Sequence, residues 1–182
     1  MTERPRWLTD QEQRAWQAYR RMFLLLNAQL SRDLQQHTGL SDPDYDVLST
    51  LGASAGHRRR VSELADRMLW SRSRLSHHLA RMERRGLVLR EECETDGRGA
   101  VVVLTGEGLR TIEAAAPLHV ESVRRHFMDL LTPEQIEAFA GVGETVVARL
   151  TGAEHEAEPG TEASTAPAAG PHHRPGTSPT PH

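Results

Sequence analysis

The stretch that decides the fold of this 182-residue chain is VSELADRMLWSRSRLSHHLARMERRGLVLREECETDGRGAVVVLT, residues 61–105. Its first half carries apolar residues at helical spacing on both sides of the turn Leu69-Trp70-Ser71. Its second half contains two apolar runs that flank a short polar tip, as in a β-hairpin. The order predicts a helix-turn-helix followed by a β-wing, a shape that reads duplex DNA.

The two helices of this unit have predictable boundaries. The first is expected at residues 62–69, and the side chains expected to face the core are Leu64, Ala65, Met68 and Leu69. Ser71 is a natural N-cap for the second helix. Trp70 and Leu75 have the spacing of a hydrophobic staple across that cap, so the start of the second helix is well defined.

The second helix has one apolar face and one basic face. Leu75, Leu79 and Met82 recur at helical spacing and are predicted to pack inward. Free N–H groups at a helix N-terminus favour phosphate, and arginine can bind guanine O6 and N7. The residues predicted here to bind DNA are Ser71, Arg72, Ser73, Arg74, Ser76, His77 and Arg81. For the helix taken alone, a solvated basic face is the alternative interpretation.

The wing is predicted from its turn. Apolar residues 87–89 and 101–104 form two strand-like runs, and Asp96-Gly97 supplies hairpin turn chemistry between them. An arginine at such a tip can enter a narrow minor groove, where the negative potential is strongest. The wing residues predicted to bind DNA are Arg90, Asp96, Gly97 and Arg98, with Asp96 orienting Arg98.

Several short motifs in this stretch carry a family resemblance. They are Ser62-Glu63-Leu64-Ala65, Arg85-Gly86-Leu87-Val88, and Asp96-x-Arg98 with the following Leu104-Thr105. Together with the arginine-bearing helix, they resemble the MarR-type winged-helix regulators over residues 9–150. The Asp-x-Arg wing and its Leu-Thr are the most specific part. The adjacent His77-His78 departs from the family pattern and leaves the operator sequence open.

The resemblance implies a mainly α (α+β) fold. A winged helix-turn-helix at about residues 43–105, with its small β-wing, would lie between dimerisation helices at about 10–37 and 106–150, all within a domain of residues 1–152. It also implies a homodimeric transcription factor on a pseudo-palindromic operator of double-stranded DNA. Such proteins are usually repressors whose grip on DNA is loosened by a small ligand or by oxidation.

The remaining elements follow from capping signals. Thr9 and Glu12 form a capping box that opens the first helix, which ends near Gly39, and Ser41 caps a second helix at 43–53. Residues 53–60 are expected to form a polar loop. After the wing, Thr105 caps a helix that runs to about Leu130 with a kink at Pro117. A further capping box at Thr132 opens the last helix, which extends through Leu150.

Composition divides the chain into a folded part and a tail. Residues 153–182 hold six of the ten prolines and almost no large apolar residue, so they are predicted to be disordered, with a metal-binding tail as the alternative. The net charge is −3, but residues 57–98 carry 11 arginines and seven acids, a local charge of +4. The position of the basic charge therefore agrees with DNA binding.

Other functional classes find little support. Motifs for nucleophilic catalysis, phosphate cradles and metal sites are missing, so neither an enzyme nor a cofactor is expected. No apolar run approaches the roughly 20 residues of a membrane span, and a cytoplasmic protein is expected. Cys93 is the single cysteine, and its acidic neighbours would raise a thiol pKa. A redox regulator acting through Cys93 stays open as an alternative.

An effector pocket is the least constrained expectation. Ligands of the resembled family commonly lie between the dimerisation helices and the winged helix. Side chains that would supply aromatic and polar groups there are Trp16, Tyr19, Arg20, Tyr45 and His119. Packing explains each of them as well as ligand binding does. A constitutive DNA-binding or architectural protein without an effector is the second hypothesis.

Overall fold

The computed structural model describes residues 5–92 and 100–152. The helices are α1 (Asp10–Thr38), α2 (Asp42–Gly52), α3 (Val61–Arg67), α4 (Arg72–Arg84), α5 (Gly106–His126) and α6 (Pro133–Thr151), and the strands are β1 (Arg58–Arg60), β2 (Val88–Glu92) and β3 (Ala100–Leu104). Short 3-10 helices occupy Ala55–His57 and Met128–Leu130. The fold is mainly helical with a small antiparallel sheet in the order β1-β3-β2, which confirms the predicted winged helix-turn-helix.

Capping fixes the first two helices where the sequence predicts them. The Thr9 side chain accepts from the Glu12 N–H while the Glu12 carboxylate accepts from the Thr9 N–H, a reciprocal capping box. Gly39 ends α1 in the left-handed region at φ 70°, and its N–H donates to the Gln35 carbonyl. Ser41 and Asp44 form a second capping box at the start of α2.

The polar loop expected at residues 53–60 is wrong over its last three residues, because Arg58–Arg60 is strand β1. It pairs antiparallel with β3, with Arg58 opposite Val103 and Arg60 opposite Val101. Backbone groups of any residue can form such a ladder. Three successive arginines carry no apolar alternation, so the local pattern gave no signal for a strand whose partner lies about 40 residues away.

The turn between α3 and α4 differs from its prediction at one residue. Helix α3 ends at Arg67, and Leu69 adopts a left-handed conformation at φ 53°. Its side chain is 93% exposed, so the expectation that Leu69 faces the core is wrong. Trp70, which follows it, packs against the core instead.

The core of the winged helix is built where the helical spacing predicts it. Leu75, Leu79 and Met82 of α4 are fully buried, as are Leu64 of α3 and Val102 of β3. The remaining buried apolar side chains come from the other helices α1, α2, α3 and α5, from β2 and β3, and from Leu40 and Leu87 in the connecting segments. They surround the inner face of α4 and leave its other face to solvent.

Helix α5 is continuous across Pro117 and ends earlier than expected. The predicted end at about Leu130 is wrong, because Phe127 leaves the helix at φ −141° and the chain continues as the 3-10 helix Met128–Leu130. Arg124 donates to Asp129 at 2.8 Å across this break. The sequence offers no glycine or proline at Phe127, so nothing local marked the end of the helix.

A polar cluster joins α1 to α5. The Asp33 carboxylate accepts from the Ser122 hydroxyl at 2.6 Å, lies 3.0 Å from His126 Nε2, and accepts from Gln29 Nε2 at 2.7 Å. The hydrogen bond from Ser122 is the main reason that the pKa of Asp33 lies below its ordinary value.

The chain forms two compact units, and the boundary between them lies between Ile136 and Glu137. Helix α6 begins before that point, where Thr132 and Gln135 form the predicted capping box. Its apolar side chains beyond the boundary, Phe139, Val142, Val146, Val147 and Leu150, are exposed. Within residues 5–92 and 100–152, none of the helices has the length and apolar content to cross a membrane. The disordered tail predicted at 153–182 lies outside the described residues.

Candidate DNA-binding surface

The exposed face of α4 carries the residues predicted to meet DNA. Ser71 caps the helix, its hydroxyl accepting from the Arg74 N–H at 3.2 Å. The side chains of Ser71, Arg72, Ser73, Arg74, His77 and Arg81 are exposed, and that of Ser76 is half-buried. Helix α4 and its cap therefore present three arginines, a histidine and two serines to solvent.

Arg74 is held over an aromatic ring. Its guanidinium carbon lies 4.1 Å from the centre of the Trp70 ring, a cation–π contact. Trp70 in turn meets the buried His78 ring edge-on, with centroids 5.5 Å apart and planes at 89°. The tryptophan that closes the helix-turn-helix thus also restricts where the Arg74 side chain can point.

His78 likewise restricts the position of the Arg81 side chain. Arg81 Nη2 lies 2.8 Å from His78 Nδ1. Because a guanidinium only donates, this ring nitrogen must accept, and the imidazole must be neutral with its proton on Nε2. Burial is the main reason that the pKa of His78 lies below its ordinary value, which favours the same neutral form.

Asp44 ties this cluster to α2. Its carboxylate accepts from Arg85 Nη1 at 2.7 Å, and its other oxygen lies 3.2 Å from His78 Nε2. The His78 contact is electrostatic, because the N–H direction does not meet hydrogen-bond geometry. Burial by itself would raise the pKa of Asp44, but the hydrogen bonds from Arg85 and Ser41 outweigh it and hold the pKa below its ordinary value.

The wing is attached to the same helix through Arg90. Arg90 on β2 donates to the Ser76 carbonyl at 2.6 Å and to the Ser76 hydroxyl at 3.3 Å. Its Nε lies 3.2 Å from the Glu83 carboxylate without hydrogen-bond alignment. These contacts use Arg90 and Ser76 to brace strand against helix, so both have intramolecular partners besides any DNA contact.

The predicted tip of the wing lies outside the residues that the structure describes. Asp96, Gly97 and Arg98 lie outside the described residues, as does Cys93. The strands that lead to the tip are in place, with Val88 paired to Leu104 and Glu91 paired to Val101. The two strands therefore pair antiparallel, as the predicted wing requires.

The arginines before α3 have partners within the fold. Arg58 donates to Glu91 at 2.8 Å, which links β1 to β2 across the sheet, and Arg59 donates to the Ser54 hydroxyl at 3.0 Å. A phosphate contact by Arg58 or Arg59 would have to compete with those bonds.

Sequence reasoning missed the interior half of the surface. Trp70, His78, Asp44 and Arg85 were not among the predicted DNA-binding residues, yet they form the contacts that hold Arg74 and Arg81 in place. A signal for His78 was present, because positions 75, 78, 79 and 82 form one helical stripe. The contact between His78 and Asp44 had no such signal, because the two residues are more than 30 positions apart in the sequence.

The candidate effector residues fall in two places. Trp16 and Tyr19 stack on the exposed face of α1 with centroids 5.6 Å apart, next to the exposed Arg20. Tyr45 of α2 instead meets His119 of α5, with centroids 4.4 Å apart. His119 Nδ1 is buried, with no hydrogen-bond partner among the described residues.

This arrangement defines a winged helix-turn-helix protein whose recognition helix is braced from inside. A sequence model of the MarR family matches residues 38–99. The transcriptional regulator HosA of Escherichia coli is 34% identical over 119 residues, covering 61% of this chain and 86% of HosA. The regulator PecS of Dickeya dadantii is 30% identical over 114 residues, covering 62% of this chain and 66% of PecS.

Two crystal structures of Streptomyces coelicolor proteins agree with this assignment. AbsC, a MarR family transcriptional regulator, is 47% identical at a TM-score of 0.78, covering 81% of this chain and 99% of AbsC. Sco3205, a MarR family transcriptional regulator in complex with DNA, is 40% identical at a TM-score of 0.77, covering 82% of this chain and 93% of Sco3205. The chain belongs to the MarR family of transcriptional regulators.

Proposed function

We propose that this regulator is a homodimeric repressor that binds a pseudo-palindromic operator in double-stranded DNA and leaves it when a small molecule binds. The observation that carries the DNA-binding part is the exposed face of α4, where Arg74 and Arg81 are held by Trp70 and His78. Side chains that are ordered before binding lose less entropy when they bind. The relative Sco3205, crystallised in complex with DNA, also supports DNA binding by this chain.

Arg74→Ala should weaken operator binding by about 1–3 kcal/mol if this arginine reads a guanine. Binding to unrelated duplex DNA should change much less, because non-specific affinity comes from phosphate contacts. Fluorescence anisotropy at fixed salt, on an operator selected from random duplexes and on unrelated DNA, measures both affinities. Arg110→Ala is the matched control, since Arg110 is an exposed arginine on α5 that pairs with Glu107.

The wing should contribute to DNA affinity without base specificity, unlike α4. The sequence places Arg98 at the wing tip, so Arg98→Ala should weaken operator and unrelated DNA alike and lower the salt slope by about one. If Arg74→Ala left the ratio of specific to non-specific affinity unchanged while Arg98→Ala collapsed it, base reading by α4 would be the wrong assignment.

Exposed apolar faces support the dimer. On α1, Trp16, Tyr19 and Phe23 form one row of neighbouring rings, and each is about half exposed at 50%, 48% and 52%. On α5, Leu118 and Val120 are exposed as well. A row of aromatic rings on a soluble helix is costly to leave in water and is typical of an interface. A two-fold dimer would set two copies of α4 about one DNA turn apart.

Sedimentation should therefore show a stable dimer at micromolar concentration, and Phe23→Glu should shift it toward monomer by at least about tenfold in dissociation constant. The reason is that a carboxylate would be buried among the aromatic rings of the partner. Gln17→Glu is the control, because it adds the same charge to an exposed polar position of the same helix. A wild-type monomer at that concentration would contradict the dimer.

The contact between Tyr45 and His119 supports the effector part. It joins α2 of the winged helix to α5, and the unpartnered His119 Nδ1 offers a polar group to a ligand. A regulator without an effector remains the second candidate, and a redox response through Cys93 the third. A release assay on the operator complex with phenolic compounds, metabolites and mild peroxide separates the three.

A further inference from the structure

The two helices of the helix-turn-helix end in the same backbone motif. At the end of α3, the Leu69 N–H donates to the Asp66 carbonyl at 3.1 Å and the Trp70 N–H donates to the Ala65 carbonyl at 2.9 Å. This pair of bonds is a Schellman motif, which requires a left-handed residue at its centre. That residue is Leu69, at φ 53°.

The end of α4 shows the usual solution to the same problem. The Gly86 N–H donates to the Glu83 carbonyl at 2.9 Å, and the Leu87 N–H donates to the Met82 carbonyl at 3.1 Å. Here the left-handed residue, at φ 71°, is glycine. Glycine has no Cβ to crowd the carbonyl oxygen, so it adopts this conformation at little cost.

Leucine at the equivalent position of α3 lowers stability without compensation inside the fold. Its Cβ meets the steric penalty that glycine avoids. Its side chain is 93% exposed, so burial of apolar surface does not offset this cost. A strained residue whose side chain is presented to solvent is the kind of outlier that points to a binding role. A partner that covers Leu69 would offset this cost.

The surroundings of Leu69 indicate which partner that is. Arg67, Arg72 and Arg74 flank it and are exposed, against the single acid Asp66. An apolar protein surface over this site would have to desolvate three cations, whereas a polyanion is attracted by them. Leu69 also lies two residues before the Ser71 cap of α4, at the end of the helix whose first turn approaches base edges.

We propose that Leu69 packs against the C5-methyl group of a thymine in the operator and selects for thymine there. The thymine methyl is the apolar group that the major groove presents, so it matches an exposed aliphatic side chain. This inference rests on the proposed function, because it needs α4 to enter the major groove.

Stability and affinity should move in opposite directions in Leu69→Gly. Relief of the left-handed strain should raise the melting temperature by about 2–4 °C. Loss of the aliphatic contact should weaken operator binding by about tenfold. A loss of affinity in a more stable protein is not a folding defect. Leu69→Asn is a second variant, because asparagine tolerates the same backbone but is polar, and it should weaken binding similarly.

A methyl deletion on the DNA tests the assigned contact directly. Replacing operator thymines by uracil should weaken wild-type binding by about fourfold for the methyl that Leu69 covers. That part of the loss should be missing in Leu69→Gly, so the protein and DNA changes should be non-additive. Additive losses, or an unchanged affinity of Leu69→Gly on the thymine operator, would overturn the proposal.

The same experiment separates this inference from the function on which it rests. A wild-type protein that prefers no selected duplex over unrelated DNA contradicts the proposed function itself. A wild-type protein with a specific operator but additive losses contradicts only the assignment of Leu69.

Discussion

Gly108→Ala is expected to destabilise the protein by at least about 3 kcal/mol, at the upper end of overpacking costs. A Cβ at this position would lie 2.0 Å from the Leu87 carbonyl oxygen and 2.8 Å from Leu104 Cδ1. The leucine side chain can rotate away, but the carbonyl belongs to the backbone that enters β2. The clash therefore has to be relieved by moving a helix away from the wing.

Hydrogen bonds hold the two segments at this distance. The Thr105 N–H donates to the same Leu87 carbonyl at 3.2 Å, and the Thr105 hydroxyl donates to the Gly86 carbonyl at 2.7 Å. Thr105 is also the cap of α5, because its hydroxyl accepts from the Gly108 N–H at 2.9 Å. Moving α5 by the distance that a methyl group requires would break these bonds as well.

Gly106→Ala is the matched control for this prediction. It lies one position after the same cap, and its added Cβ would meet only Arg110 Nη1 at an ordinary 3.6 Å. Because alanine favours a helix over glycine by up to about 1 kcal/mol, this variant should be neutral or slightly more stable. Urea denaturation of both variants measures the difference. Equal losses in the two would mean that the close approach at Gly108 is not what limits the fold.

Much of this fold could be predicted because its signals are local. A cap and the residue that it bonds lie within one helical turn, so the starts of α1, α2, α4 and α5 were readable from the sequence. The stripe of Leu75, Leu79 and Met82 likewise fixed which face of α4 is buried. The strands of the wing followed from their apolar runs.

The features that sequence reasoning missed depend on distant partners or on the backbone alone. Strand β1 forms because it pairs with the free edge of β3, and nothing in the run Arg58–Arg60 itself indicates this pairing. Gly108 is needed because the Leu87 carbonyl approaches it, and Leu69 was assigned to the core because helical spacing does not reveal a left-handed residue. Each of these follows from tertiary geometry rather than from residue type.

The binding surface shows the same division. Spacing predicted which α4 side chains are exposed, but not which arginines are already engaged. Arg90 braces the wing through Ser76, whereas Arg74 is held over Trp70 and is exposed. The exposed face was readable, and the partners that order it were not. DNA contact by these residues, the dimer and the effector remain predictions.

Asp44→Asn is expected to lower the free energy of unfolding by about 2–3 kcal/mol at neutral pH, the range for charged hydrogen bonds and an unsatisfied buried group. The side chain of Asp44 is 7% exposed and serves Arg85, His78 and the α2 capping box together. An asparagine has one acceptor oxygen instead of two, so one of these groups loses its partner. Arg85 can turn to water, because its side chain is 43% exposed, which keeps the loss below that of a fully buried ion pair.

Acid titration distinguishes this charge effect from a packing defect. Because the folded pKa of Asp44 is lowered, its contribution to stability is present above the ordinary aspartate pKa of about 3.9 and is lost as the pH falls through the folded value. Asparagine does not titrate. Chemical denaturation should therefore show the gap between wild type and Asp44→Asn narrowing toward acid pH, as far as the fold persists. Asp129→Ala breaks an exposed pair with Arg124 and should cost less than about 1 kcal/mol. If the difference in unfolding free energy between wild type and Asp44→Asn stays constant with pH, the loss comes from the shape of the amide. A charge effect would depend on pH, because it is the charged carboxylate that couples the recognition helix to α2.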